Sequence, residues 1–355
     1  MKEGREKTGY ARWVSFALVV FISLMAASCG SSAKPDRRDV DPRGASLLGE
    51  AQQAYRSRSY ATTIQLIDSA ATYVPELPDL WFLHGLVLSD LYRFDASDAA
   101  FEKALSFDPD YRSARYNMGH NAFHQSSYFA KNAYRDALRH YRAEEALLHR
   151  ALMDGTARPG DRDALASVLL QIGTTYASLQ LPDSASRAYR RALEVDSSLA
   201  RGYAWLSGLQ QTAGDLKAAL ANARRAVEIE PADPEHRLLL GVLLSEEGRY
   251  VEALPHLAEA SRREPWNRTA IYNLGQALVG SGHIEDGEAY LARADTLEIL
   301  RSEIEKSHVH VFQNPQDPIR WENYAYLLQR AGRTAEAKAA IGVMYALTST
   351  DTSPR

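Results

Sequence analysis

The sequence predicts an all-α chain, an α-solenoid of about eight helical hairpins, and three observations predict it. Ala192, Ala226, Ala260 and Ala294 stand 34 residues apart. Within each period the apolar residues fall at helical spacing in two blocks, as in Leu238–Glu247 and Val251–Ala260. Between the blocks Gly214, Gly248 and Gly282 mark one turn, and Pro231 and Pro265 mark the other. A fixed period of this length with two helical blocks is the signature of a tandem hairpin repeat. One hairpin cannot bury both of its apolar faces, so neighbours must stack.

The stretch Leu238–Pro265 shows why each fixed point is there. Gly241 lets the partner helix approach closely. Gly248 ends the first helix, because glycine takes a left-handed conformation at little cost. Ala253 and Ala260 keep the second helix close, and Pro265 stops it by lacking an N–H. Upstream the set recurs as Ser207, Gly214, Leu216, Ala219, Ala226 and Pro231; downstream it recurs as Gly275, Gly282, Ile284, Gly287 and Ala294. This pattern resembles the tetratricopeptide repeat (TPR). The resemblance implies a right-handed solenoid in which the first helix of each repeat lines a concave surface.

The chain has 355 residues, with 41 Lys and Arg against 45 Asp and Glu, a formal net charge of −4. Its basic residues are scattered, which argues against nucleic acid as a partner. Residues 1–28 read as a signal peptide. Lys2, Arg5, Lys7 and Arg12 form a basic start, Trp13–Ala27 is nearly all apolar, and Ala26, Ala27 and Ser28 are small residues before Cys29. That apolar run is short for a membrane-spanning helix. Cys29 is the only cysteine. The order Ala26-Ala27-Ser28-Cys29 resembles the lipobox of bacterial lipoproteins, although Ala26 stands where leucine is preferred. By that resemblance Cys29 carries acyl chains and anchors the protein to a membrane. Gly30 follows instead of the aspartate that retains such proteins at the inner membrane, which points to the outer membrane of a cell envelope.

Residues 29–44 read as a flexible tether, polar and too poor in apolar surface to fold. The array is expected over 45–347. Its first repeat is degenerate, with Ala51 at the first glycine position. Trp81, Gly85, Phe101, Ala104 and Pro109 mark the second, and Gly119 the third. Gly173 lies 54 residues after Gly119, so about 20 residues are inserted near 129–160. The fourth to seventh repeats then run without a gap from Gly173 to Ala294. A second insertion is expected near 297–317, with Ser307–Asp317 as a loop and Val309–Phe312 as a strand-like run. Trp321, Ala325, Leu328, Gly332 and Ala337 mark the eighth repeat, and 348–355 reads as a disordered tail.

Catalysis is not expected. The sequence has no Gly-rich phosphate loop and no Gly-x-Ser-x-Gly. His120 and His124 share a helix face but lack the glutamate of the zinc-protease motif, so no metal and no cofactor are expected. His308 and His310 read as surface residues of an insertion. Binding suits the pattern better. Carried over from the TPR resemblance, the concave positions are Tyr116, Asn117, His120, Phe123 and His124 in the third repeat, Arg201 and Trp205 in the fifth, and Tyr272, Asn273 and Gln276 in the seventh. Aromatic rings beside amides suit an extended peptide segment, since rings supply area and amides pair with main-chain groups. The two insertions are expected to wall that groove. The functional expectation is a lipid-tethered scaffold for protein partners in envelope assembly or maintenance. The alternative is a glycan- or nutrient-binding lipoprotein beside an outer-membrane transporter.

Overall fold

The computed structural model describes residues 40–128 and 133–350. The signal peptide, Cys29 and most of the tether lie outside the described residues. The described chain is all helix, sixteen helices paired into eight antiparallel hairpins. They are α1 (Pro42–Arg56) with α2 (Tyr60–Ala71), α3 (Pro78–Asp90) with α4 (Phe94–Phe107), α5 (Ala114–Tyr128) with α6 (Ala133–Met153), and α7 (Asp161–Ser178) with α8 (Pro182–Val195). There follow α9 (Ala200–Thr212) with α10 (Leu216–Ile229), α11 (Pro234–Glu246) with α12 (Tyr250–Arg263), α13 (Arg268–Gly280) with α14 (Ile284–Gln313), and α15 (Pro318–Arg330) with α16 (Thr334–Thr350).

The hairpins close where small residues permit it. A Cβ on Gly241 would lie 2.6 Å from the Leu257 side chain, so the crossing of α11 and α12 needs glycine there. Ala192, Ala226, Ala260 and Ala294 are all buried to 1% exposure or less, one per hairpin, which is why the period is kept so strictly. Gly248 takes φ +74, the left-handed turn expected between α11 and α12. Helix starts are fixed by side-chain caps. Asp41, Asp215, Asp233, Asn267 and Asp317 each accept a main-chain N–H from the first turn of the helix that follows, each worth about 1 kcal/mol. The array starts earlier than expected, because α1 begins at Pro42, inside the presumed tether. It ends later, because α16 runs to Thr350.

The first helices of successive repeats touch one another, α1 with α3, α3 with α5, α9 with α11 and α11 with α13. They therefore lie on the inner side of the curve. The third hairpin is long, and buried polar contacts fix its insertion. Glu144 on α6 accepts the Ser113 N–H at 2.8 Å, and Arg112 pairs with Asp161 at 3.3 Å.

The second insertion corrects the expectation. Ser307–Asp317 is not a loop and Val309–Phe312 is not extended; α14 continues unbroken to Gln313, and the turn is confined to 314–317. The helix persists because its distal half finds a partner distant in sequence. Ile304, Val311 and Phe312 are buried. Ile304 and Val311 share one core with Leu48, Ile67, Leu80 and Val87 of the first two hairpins and Trp321, Leu328 and Val343 of the last. Helix α16 packs on α2. The two ends of the array thus meet in a seam.

Candidate partner-binding surface

The inner face is built by the first helices, and its predicted residues divide into three kinds. Tyr272 and Gln276 on α13 are exposed, with Tyr272 at 38% and the Arg268 guanidinium 5.3 Å from its ring centre. Asn117 and Asn273 occupy the same place in their repeats. Each donates one amide N–H to the carbonyl four residues back, Ser113 at 2.7 Å and Thr269 at 2.8 Å. That bond holds the amide in one rotamer and leaves its oxygen and second N–H for another chain. Trp205 takes the corresponding place on α9. It is half-buried, with its ring 5.6 Å from Tyr189, so it packs as well as presents a face.

Tyr116 and Arg201 are half-buried, and burial pushes the Tyr116 phenol up to about 12. Burial is the cause throughout this patch. His120 is pushed down to about 4 by the same effect, and His124 falls further because His120 and His308 add like charge. Their Nε2 atoms lie 3.1 Å apart, so each imidazole takes the other as its partner. The His124 ring also stacks on Phe94. The pair is therefore closed on itself rather than turned to an open groove.

Phe123 does not reach the surface. It is 3% exposed and packs edge-on against Tyr134 in the core of the third and fourth hairpins. Its helical position allowed either face, and the length of α6 decided which. His308 is also not a surface residue. It is half-buried, stacked on Tyr324 at 5.1 Å, with Tyr92 edge-on, and burial brings it down to about 4. His310 is exposed, as expected. The second insertion closes the seam instead of walling a groove.

Sequence reasoning passed over Tyr92 and Phe94. Tyr92 sits 5.6 Å from Trp321 and 5.8 Å from Phe312 by ring centres, and Phe94 sits 5.9 Å from Phe312. Tyr92 holds φ +58 at the turn where later repeats have glycine. A non-glycine residue in that conformation, kept at a cost of about 1 kcal/mol, was the one available signal.

TPR family profiles match residues 78–111, 166–199 and 244–296. The chain is similar in structure to PilW, described as a widely conserved type IV pilus biogenesis factor: 18% identity, covering 65% of this chain and 97% of that one, with a TM-score of 0.50. It is similar to PilF of Pseudomonas aeruginosa at 13% identity, covering 64% of this chain and 95% of that one, also with a TM-score of 0.50. At these identities the likeness is one of fold. In sequence it is 23% identical to the Protein CTR9 homolog of Arabidopsis thaliana over 265 residues, 66% of this chain; the match takes in 24% of that relative's length.

Proposed function

We propose that the chain, a TPR-like solenoid in which tetratricopeptide-repeat profiles match three stretches, is a non-catalytic adaptor for an extended protein segment in the cell envelope, since such repeats are typically scaffolds for protein–protein contacts. The observation that carries this reading is the set Trp205, Tyr272, Asn273 and Gln276. These residues stand on the inner helices α9 and α13; Tyr272 and Gln276 are exposed, and Trp205 and Asn273 are partly exposed. Rings give contact area without many rotors, and the pinned amides offer a donor and an acceptor to a main chain. The basic, apolar and small-residue order before Cys29 supports anchoring by acyl chains at that residue, in the outer membrane. Among the described residues no helix is long and apolar enough to cross a membrane.

The test is crosslinking in envelope extracts followed by affinity measurement with the partner so found. Tyr272→Ala is the cleaner variant, because its ring is exposed and the fold does not need it. An anchor of this kind carries about 2 kcal/mol or more, so binding is expected to weaken roughly 30-fold. Lys217→Ala, exposed on α10, is the control and leaves affinity unchanged. Equal affinity for Tyr272→Ala and the parent chain would remove the inner face as the binding surface. For the anchor, Cys29→Ala is expected to release the protein from the membrane fraction; retention there overturns lipidation at Cys29.

A further inference from the structure

We propose that Glu230, Asp233 and His236, at the junction of α10 and α11, form a binding site for a divalent transition-metal ion, with zinc as its fitting occupant. One ligand atom from each of the three residues lies within 4.8 Å of the others. The imidazole is the informative member. His236 is 2% exposed, yet its Nδ1 has no hydrogen-bond partner. That nitrogen points at Glu230 Oε2, 3.7 Å away, and Asp233 Oδ1, 3.9 Å away. With a proton on Nδ1, the nearest acceptors are out of hydrogen-bond reach. Without one, a lone pair faces two carboxylates. A cation between the three resolves both cases.

The repeat register shows that the histidine is out of pattern. Counting from the small residue of each first helix, the place of His236 is held by Leu80, Ala114, Val168, Gly202 and Ala270, all buried, in the second to fifth and the seventh repeats; only the terminal repeats put polar residues there, Ser46 and Arg320, and neither is buried. A polar ring at an apolar position needs a partner. Neighbouring junctions carry part of the set, Asp196 with Leu199 and Glu264 with Asn267, but a histidine stands in this register only at His236.

Local geometry favours closure on an ion. Pro231 and Pro234 stiffen the connection, and the Asp233 N–H bonds back to the Glu230 carbonyl at 3.1 Å. Asp233 Oδ1 caps α11 by accepting from the Glu235 and His236 N–H groups, which leaves Oδ2 for a metal. The Glu230 side chain is 50% exposed and can move inward, while Asp233, 33% exposed, is held in place by its cap. Tetrahedral zinc separates its ligands by roughly 3.3 Å, so the three groups, now within 4.8 Å of one another, must draw inward to close on an ion. The start of α11 disfavours a cation through its dipole, but the end of α10 at Glu230 opposes that effect. Glu235 and Glu264 feel the Asp233 charge; Arg201 acts on Glu235 and His236, and Arg333 and Glu336 act on Glu264, so carboxyl groups outnumber guanidiniums in the neighbourhood. An imidazole with two carboxylates suits zinc better than calcium or magnesium, which prefer oxygen alone.

The experiment titrates the full chain, first stripped with chelator, with zinc chloride in a calorimeter, with magnesium chloride as comparison. The variants keep the fold. His236→Leu installs the residue found at Leu80, and Asp233→Asn keeps a cap of the kind Asn267 makes; Glu230→Gln is isosteric. One zinc per chain is expected for the parent, with affinity falling about tenfold or more in each variant and helicity unchanged. Cobalt bound in place of zinc is expected to show the visible spectrum of a four-coordinate nitrogen–oxygen site that His236→Leu abolishes. No zinc binding below millimolar concentration overturns the proposal. So does binding equally tight in all three variants, which would assign the ion to His120 and His124 or to Cys29.

Discussion

The central array, α7 to α13, and the seam that joins α1–α4 to α14–α16 are both stacks of helical hairpins, but different forces close them. In the centre glycines and alanines let the two helices of each hairpin close on one another, and contacts run between elements a few tens of residues apart. At the seam aromatic rings make the joint, and the partners stand more than two hundred residues apart: Phe94 meets Phe312, and Tyr92 meets Trp321. Close-packed small residues transmit a fixed curvature from repeat to repeat. Large rings fill whatever gap that curvature leaves at the ends. The array therefore has a locally specified middle and a joint specified only once the middle is built.

The largest expected effect breaks the seam. Trp321 is 3% exposed and donates its indole N–H to the Pro315 carbonyl at 2.8 Å. Trp321→Ala is expected to cost about 3–5 kcal/mol, and small-angle scattering should show a larger radius of gyration as the ends part. An unchanged radius with a simple loss of stability would mean that the ring serves only its own hairpin.

Next comes a break in the middle. A Cβ on Gly173 would lie 2.3 Å from the Tyr189 ring. Gly173→Ala is expected to destabilise by about 1–3 kcal/mol through overpacking, with hydrogen exchange rising around α7 and α8 but not at the seam. Exchange rising equally in both regions would show that they unfold as one unit.

A double-mutant cycle sharpens the contrast. Phe94→Leu and Phe312→Leu, both at 8% exposure, are expected to couple by about 0.5–1.5 kcal/mol. Zero coupling would mean that the ends do not meet in solution.

The smallest effect is that of pH. His120 and His308 are held at about 4 in the fold by burial, below the ordinary 6.5. Between those values the unfolded chain binds more protons, so their contribution is complete above pH 6.5 and is lost as pH falls towards 4. Asp90 opposes this. Burial raises it to about 6, against hydrogen bonds from Tyr55 and Tyr60, so the folded chain takes up its proton first and gains stability on acidification through that window. Asp98 and Glu235, raised by burial to about 6 and about 7, act in the same sense as Asp90. His308→Phe is therefore expected to gain stability at pH 5 relative to pH 7 by on the order of 1 kcal/mol against the parent chain; an unchanged difference would place the acid sensitivity elsewhere.

The candidate surface was legible in part. Tyr272, Asn273 and Gln276 stand on an inner helix with open faces, as the repeat register implied. The register could not say that Phe123 turns inward against Tyr134, because a helix face is apolar or exposed according to what packs on it. Nor did it mark His236, whose residue type departs from its register but whose burial against two carboxylates depends on the α10–α11 turn.

What the sequence determined by itself is everything that repeats. The helices, their turns, the eight hairpins and the place of both insertions follow from periodicity, and periodicity records contacts between near neighbours. What only the tertiary structure decided is everything that happens once. The unbroken course of α14 through Gln313, the burial of His308 and the meeting of α2 with α16 depend on where the accumulated rotation of the middle repeats delivers the last hairpin. No local pattern encodes that sum, because each repeat contributes only a small angle to it.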